Sequence, residues 1–425
     1  MTLSRRQFIK WASASAAFSA ATFPGLVSFG KGASPHVVVI GGGYAGATAA
    51  KYIKLWGSHI DVTLVESDPE FISCPLSNLV LGGSKSIREL TVGYEGLARH
   101  QAQVVHDEAR SIDVRKRTVQ LAHGGNLSYD RVIVAPGVHF MYERIPGLNS
   151  PDAQKRVLHA WNAGAQTVAL RKQLEAMPDG GVYALCIPES PYRCPPGPYE
   201  RACQVAYYFK THKPRSKVLV LDANEDVQSE KELFTAAWAE RYSGIVEYRP
   251  NSVLVDVDVG TLTAKLEFEN VKAAVLNVVP PQRAGIIAQS AGLITTNNRW
   301  CDVDFLTYES TVHKNIHVLG DAILAAPAMP KSGHMANQQA KVCAAAVVAL
   351  LSDQPINERP MMNNACYSFI SDREAAHLVS VHEYDPKKKT MLVVEGSSGR
   401  SAAASVLEGN YGWGWAQNIW ADMLA

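Results

Sequence analysis

The sequence predicts an α/β protein with two Rossmann-type dinucleotide-binding domains followed by a C-terminal α+β interface domain. Three observations carry this. A β-branched run, His36–Ile40, enters Gly41-x-Gly43-x-x-Gly46 and leads into a helix-like run to about Leu55. A second strand-like run, Lys217–Asp222, ends on an acid within a separate α/β stretch. A third segment begins at Pro355 and ends in the aromatic run Tyr411–Trp420. At 425 residues the chain has room for two or three domains, each with its own core. Its composition, 47% hydrophobic and 19% charged, is that of a globular protein, and a net charge of +1 argues against a nucleic-acid binder.

Residues 1–33 read as an export signal rather than as part of the fold. They contain Ser4-Arg-Arg-Gln-Phe-Ile-Lys10, then an Ala/Ser-rich apolar stretch from Trp11 to Phe29, with no acid. This is the twin-arginine pattern, and it predicts a periplasmic protein that folds around a cofactor before crossing the membrane. A membrane anchor is the weaker reading, because five serines and threonines interrupt the stretch. Removing the signal's four basic residues from 41 leaves 37 against 40 acids, a net −3.

The first glycine motif has the context that gives it meaning. Gly41, Gly43 and Gly46, with Tyr44 and Ala45 between them, allow a tight turn and close approach of the backbone to a pyrophosphate at a helix N-terminus. The next strand, Asp61–Val65, delivers Glu66 twenty residues after Gly46, where an acid meets a ribose hydroxyl. Two further stretches choose FAD over NAD. Tyr129–Gly137, with Ala135 and Gly137 in its turn, looks like the element that closes the first FAD half-domain of two-dinucleotide flavoproteins. Thr311–Asp321 looks like their second FAD fingerprint, in which Gly320 and Asp321 meet the ribityl and pyrophosphate region. Lys331-Ser-Gly-His334 and a small-residue helix over about 336–351 follow, whose N-terminus would face the flavin.

The predicted organisation is therefore a signal over 1–33, a split FAD-binding domain over 34–145 plus 290–350, a second Rossmann-like domain over 146–289, and an interface domain over 355–425. The fold is that of a disulfide-reductase-like flavoprotein. In the second domain the first turn has no glycine fingerprint. Four prolines stand within residues 191–198 instead, which stiffens the turn away from a phosphate cradle, so no NAD(P)H is expected.

Seven cysteines, at 74, 186, 194, 203, 301, 343 and 366, include no Cys-x-x-Cys pair, so spacing supports neither a zinc nor an iron–sulfur site. Cys74 follows the ribose-binding strand, where a cysteine is a redox partner of the flavin, a covalent anchor to it, or a small buried hydrophobe. Cys194 and Cys366 stand in different domains. They could meet over the flavin as a redox disulfide, form a structural bridge, or remain apart. Cys186, Cys301 and Cys343 read as core, and Cys203 is open to either reading.

Together these stretches resemble the flavoprotein subunit of flavocytochrome c sulfide dehydrogenase. The matching residues are Gly41–Leu55, Cys74 with Leu76-Ser-Asn78, Cys194–Ala202, Pro280–Gly285, Gly320–Ala322, Met329–Gly333 and Cys366–Ser368. The resemblance covers about 34–420. It implies FAD held as a thioether through Cys74 and a redox-active Cys194–Cys366 disulfide. It also implies Glu200 as a base beside that disulfide, and Trp415, or its neighbour Trp413, near the sulfide site. The reaction implied is oxidation of sulfide, with electrons passing to a c-type cytochrome subunit in a heterodimer. No Cys-x-x-Cys-His occurs here, so the haem would be the partner's.

Three other readings compete. A sulfide:quinone oxidoreductase would need an apolar channel and an amphipathic tail, and Trp413–Leu424 is aromatic and apolar enough for one. A non-catalytic electron-transfer subunit of a sulfur-oxidising complex is a second. An NADH-dependent reductase is the weakest, given the missing second fingerprint.

Overall fold

The computed structural model describes residues 34–425, and the predicted export signal lies outside them. In chain order the first elements are β1 (His36–Ile40), α1 (Tyr44–Trp56), β2 (Asp61–Val65), α2 (Ser77–Gly82), β3 (Gln103–Val105) and β4 (Arg131–Val134). The middle of the chain supplies β5 (Val182–Ile187), α3 (Gly197–His212), β6 (Lys217–Asp222), α4 (Lys231–Glu240), β7 (Val246–Arg249) and β8 (Val275–Val278). Then come β9 (Ile316–Val318), α5 (Gly333–Leu351), β10 (Met361–Phe369), β11 (Ala375–Asp385), β12 (Thr390–Val393) and α6 (Val406–Leu424).

Two parallel sheets hold the molecule together. The first has the order β9–β4–β1–β2–β3, so a strand from beyond residue 310 completes a sheet begun at residue 36. The second has the order β7–β6–β5–β8. Both faces of these strands are covered, which is why they are continuous β-branched and aliphatic runs rather than alternating ones. In each sheet the strand order reverses beside its first strand, so a crevice opens at the carboxyl ends of β1 and β4, and another at that of β5. An antiparallel pair, Val138–Phe140 with Gln282–Ala284, ties the two units where the chain passes between them.

The third sheet is antiparallel, β10–β11–β12, with Cys366 opposite Leu378. Against it lies α6, which carries the aromatic tail. Ser405 caps this helix by accepting the Glu408 N–H at 3.2 Å. Its glycines permit contact: a Cβ on Gly409 would lie 2.0 Å from the Arg373 carbonyl oxygen. The far end of α6 is fastened across α1 and α5. Tyr52 donates to Asp422 at 2.6 Å, Asn337 at 2.8 Å, and the Lys341 ammonium lies 2.9 Å from the same carboxylate. The apolar side of α6, including Trp420 and Met423, is thereby buried in the protein and is not the free amphipathic tail that the quinone reading needs. Among the described residues no helix is long and apolar enough to cross a membrane.

The proline-rich loop is shorter than the sequence suggests. The helix begins at Gly197, not Ala202, with Pro196 as N-cap and Pro198 in the first turn. The first helical N–H groups have no intrahelical partner, so proline costs nothing there. The helix α5 likewise starts at Gly333, three residues before the predicted 336, with the Ser332 hydroxyl accepting the Met335 N–H at 3.1 Å.

Candidate active site

A cavity of about 360 Å³ opens at the crevice between β1 and β4 and is walled by the turns that follow β1, β2, β4 and β9 and by residues of α2, α3, α5, β10 and α6. Of the residues singled out from sequence, Gly41, Gly43, Tyr44, Ala45, Glu66, Cys74, Ala135, Gly137, Cys194, Glu200, Gly320, Asp321, Cys366 and Trp415 all line it.

Two predicted cofactor residues do not. Gly46 lies behind the turn, where a Cβ would sit 1.7 Å from the Gly41 carbonyl oxygen, so its contribution is helix–strand contact. Lys331 points away. Its buried ammonium sits 3.7 Å over the Trp300 ring and donates to the carbonyl oxygens of Asp321 and Ile323. It thus pins the fingerprint turn from behind rather than meeting a ligand.

The nucleotide end of the cavity fits FAD. Gly41 has φ +97°, in the left-handed region, and a Cβ there would strike the Ala135 carbonyl. A Cβ on Gly43 would meet nothing, so its surface is bare for a phosphate. Glu66 accepts the Gly42 N–H at 2.6 Å and the Asp68 N–H at 2.9 Å, which orients its carboxylate along the edge of the turn. Asp321 has a buried oxygen, Oδ1, with no partner among the described residues. A buried carboxylate oxygen is rarely left bare, and a ribityl hydroxyl would satisfy it. Gly333 and His334, at the N-terminus of α5, face the same space.

Three cysteine sulfurs line the cavity at its other end. Cys74 sits on a segment locked by Ser73, whose hydroxyl bonds the Tyr44 phenol at 2.7 Å, while Trp420 donates to that phenol at 3.2 Å. The Ala163 N–H approaches the Cys74 sulfur at 3.5 Å. Cys194 has φ +60°, and its N–H donates to the Lys331 carbonyl oxygen at 2.8 Å, which ties the proline loop of the second domain to the FAD domain. Cys366 enters from β10, with the Asn364 amide 3.4 Å from its sulfur. Cys194 and Cys366 are free thiols in the structure and line the same cavity. Burial pushes the Cys194 thiol well up and that of Cys366 to about 11. Cys203, open to either reading from sequence, is fully buried in the second domain's core.

Glu200 links these elements. Its carboxylate accepts the Phe369 N–H of the Cys366 strand at 2.9 Å and the Asn78 amide of α2 at 2.7 Å. Burial raises it to about 6 against the pull of those donors and of Arg201. Trp415 packs 6.0 Å from both His334 and Tyr367, whereas Trp413 lies outside the cavity under the Lys85 ammonium. His334 is held neutral by burial, at about 4. Its Nδ1 accepts the Ala365 N–H at 2.9 Å, which leaves Nε2–H as a donor.

Sequence reasoning missed several lining groups. Arg193 stands beside the predicted cysteine and donates to Asn162 at 2.7 Å. Trp161–Ala163 and Ser368 also contribute wall. Asn78 was visible in the Cys74 segment but without a role. In the second domain the acid at the end of β6 is spent internally. Asp222 is fully buried and accepts from Tyr199 at 2.8 Å, Tyr248 at 3.1 Å and Asn224 at 2.7 Å. Tyr199 comes from the first turn of α3, so the second crevice is filled by its own side chains.

Fold and site together define a flavin-binding protein of the pyridine nucleotide-disulphide oxidoreductase class, whose family model matches residues 35–175. Within that class the chain belongs to the flavoprotein chains of flavocytochrome c sulfide dehydrogenase. The model of that chain's central region matches residues 167–280, and the family's flavin-binding model matches residues 358–424. A sulfide dehydrogenase flavoprotein chain from Chlorobaculum thiosulfatiphilum is 52% identical over 45 residues, 94% of that sequence and 11% of this one. The mitochondrial sulfide:quinone oxidoreductase of Mus musculus is 24% identical over 312 residues. This alignment covers 67% of this chain and spans 65% of the mouse protein. The structure of the Aquifex aeolicus sulfide:quinone oxidoreductase superposes with a TM-score of 0.75 at 18% identity, covering 92% of this chain and 91% of that one. This likeness is one of fold.

Proposed function

We propose that the protein is the flavoprotein subunit of a periplasmic sulfide dehydrogenase, exported by the twin-arginine pathway. It oxidises hydrosulfide and passes electrons to a c-type cytochrome on a separate chain. The observation that supports this reading is that Cys194, from the loop before α3, and Cys366, from β10, line one cavity together with Glu200. In the oxidised protein the two sulfurs form a bridge. Hydrosulfide attacks one of them, a new S–S bond makes a persulfide, and the other cysteine leaves as thiolate. A second hydrosulfide removes the outer sulfur as hydrodisulfide and leaves a thiol. Re-forming the bridge then releases two electrons and one proton. FAD, which Cys74 would hold as a thioether, would supply the two-electron acceptor when bound in the cavity. Glu200 takes the proton, its raised pKa suiting it to hold and release one near neutrality. Trp415 and Tyr367 close the sulfur end against water.

The relatives that use quinone support a second reading, in which the acceptor is a quinone. Denaturing electrophoresis separates the two: flavin fluorescence that travels with the polypeptide supports the thioether, and its loss favours the quinone reading. The test of the sulfur chemistry is Cys194→Ser. This variant should keep its flavin yet lose sulfide-dependent flavin bleaching and cytochrome c reduction, and surviving activity would remove the disulfide from the mechanism.

A further inference from the structure

The sulfur site lies in a buried cavity, and both neutral hydrogen sulfide and the thiol re-forming the bridge must lose protons there. Glu200 can accept one, but it is buried itself and walled by Asn78 and the β10 backbone. A way out leads through the next residue of that strand's inward face. Cys366 and Ser368 alternate along β10 and therefore face the same side, and both line the cavity. The Ser368 hydroxyl donates outward to the Glu230 carboxylate at 2.5 Å. Glu230 is not part of the cavity wall. It is the residue before α4, partly exposed, and has φ +53°, a region that favours glycine and asparagine, so a glutamate there is held against its backbone preference.

We propose that Ser368 and Glu230 are the proton exit of this cavity, relaying protons from Glu200 and the sulfur site to the surface at the start of α4, an inference that rests on the sulfide-oxidising reading. A proton reaching the Ser368 oxygen from the cavity side is matched by the Ser368 hydroxyl proton passing to Glu230. Only O–H bonds are made and broken, and no electron moves. The groups facing Glu230 are Glu200 from α3, and Cys366 and Ser368 from β10. On its own side Lys231 is committed to Asp226, and Glu232 to Arg400. Burial, with Glu200 adding to it, lifts Glu230 to about 7, close above Glu200 at about 6. A proton therefore passes between them at small cost, and Glu230 gives it up at neutral pH.

The test compares wild-type holoprotein with Glu230→Gln, Ser368→Ala and Glu230→Asp by stopped-flow bleaching of the flavin with sulfide across pH. With hydrosulfide held at one concentration across the series, so that the substrate's own ionisation does not enter, the wild-type rate rises through about pH 7 as Glu230 loses its proton. Glu230→Gln and Ser368→Ala should be slower by about tenfold and lose that rise, and Glu230→Asp should restore it. In infrared titration of the same holoproteins, a carboxyl band with a midpoint near neutrality should vanish in Glu230→Gln. An unchanged rate and profile in Glu230→Gln would overturn the relay, as would a slower rate with the rise intact, because that is a purely structural effect. Dithiothreitol serves as a second reductant. If it bleaches the wild type and sulfide does not, the sulfide reading falls. The relay is then judged by proton release to an indicator dye during dithiothreitol reduction: slowed in Glu230→Gln it stands, and unslowed it is refuted.

Discussion

Replacing Glu200 with glutamine should make the protein less active and should remove a folding cost that the wild type carries only at higher pH. Burial raises this carboxyl from its ordinary 4.5 to about 6, because the folded protein disfavours the charged form. A folded-state pKa above the unfolded one means that the protonated form folds more favourably. That advantage is complete below pH 4.5 and is lost as pH rises through about 6. At about 1.4 kcal/mol per pH unit, the wild type therefore carries a cost of about 2 kcal/mol at neutral pH that glutamine, being uncharged, does not. The Phe369 N–H and the Asn78 amide each donate to a different oxygen of Glu200, whereas glutamine keeps one oxygen and turns its NH2 toward the other donor, so the variant carries a penalty for that lost bond at every pH. The assay is denaturant unfolding of both proteins below pH 4.5 and above pH 7 or so, with flavin bleaching by sulfide alongside. We expect the variant to be less stable than wild type in acid, to gain about 2 kcal/mol relative to wild type on going from acid to neutrality, and to lose about a hundredfold or more in bleaching rate. A glutamine variant destabilised equally at both pH values would refute the argument, since the charge on Glu200 would then carry no folding cost.

Cys74→Ser should abolish flavin fluorescence on denaturing gels while native protein still carries FAD, because the glycine turn and Asp321 are untouched. Gly46→Ala drives a Cβ to 1.7 Å from the Gly41 carbonyl oxygen, a backbone atom that cannot swing aside. It should cost about 3 kcal/mol or more and purify with little flavin, as read from the visible-to-ultraviolet absorbance ratio. Asp422→Ala strips the acceptor from Tyr52, Asn337 and Lys341 at once. A loss of about 2–3 kcal/mol is expected in thermal unfolding, together with protease sensitivity on the α6 side.

What the sequence made legible was local. The strand–glycine turn–helix unit and its ribose acid are contiguous patterns, and the structure places them where their spacing says. The two cysteines could be flagged but not brought together, because their meeting depends on how three sheets pack. Lys331 shows the limit from the other side: a lysine in a fingerprint turn looks like a ligand, and only the fold reveals that Trp300 waits behind it. The tail misleads by composition. Glycines at 409, 412 and 414 argue against a helix on propensity, yet tertiary contact requires two of them, since Gly409 meets the Arg373 backbone and Gly412 meets Tyr367. Glu230 carries no motif, and its hydrogen bond to Ser368 spans 138 positions.

The filled crevice of the second domain has a consequence for anyone wishing to re-engineer this scaffold. That crevice is core, with Asp222 sealed under three donors and Tyr199 packed against Phe234 and Trp238. Removing Tyr199 alone would leave a buried carboxylate short of a partner, and restoring glycines alone would leave the tyrosine in the way. No single step toward NADH use is tolerable by itself.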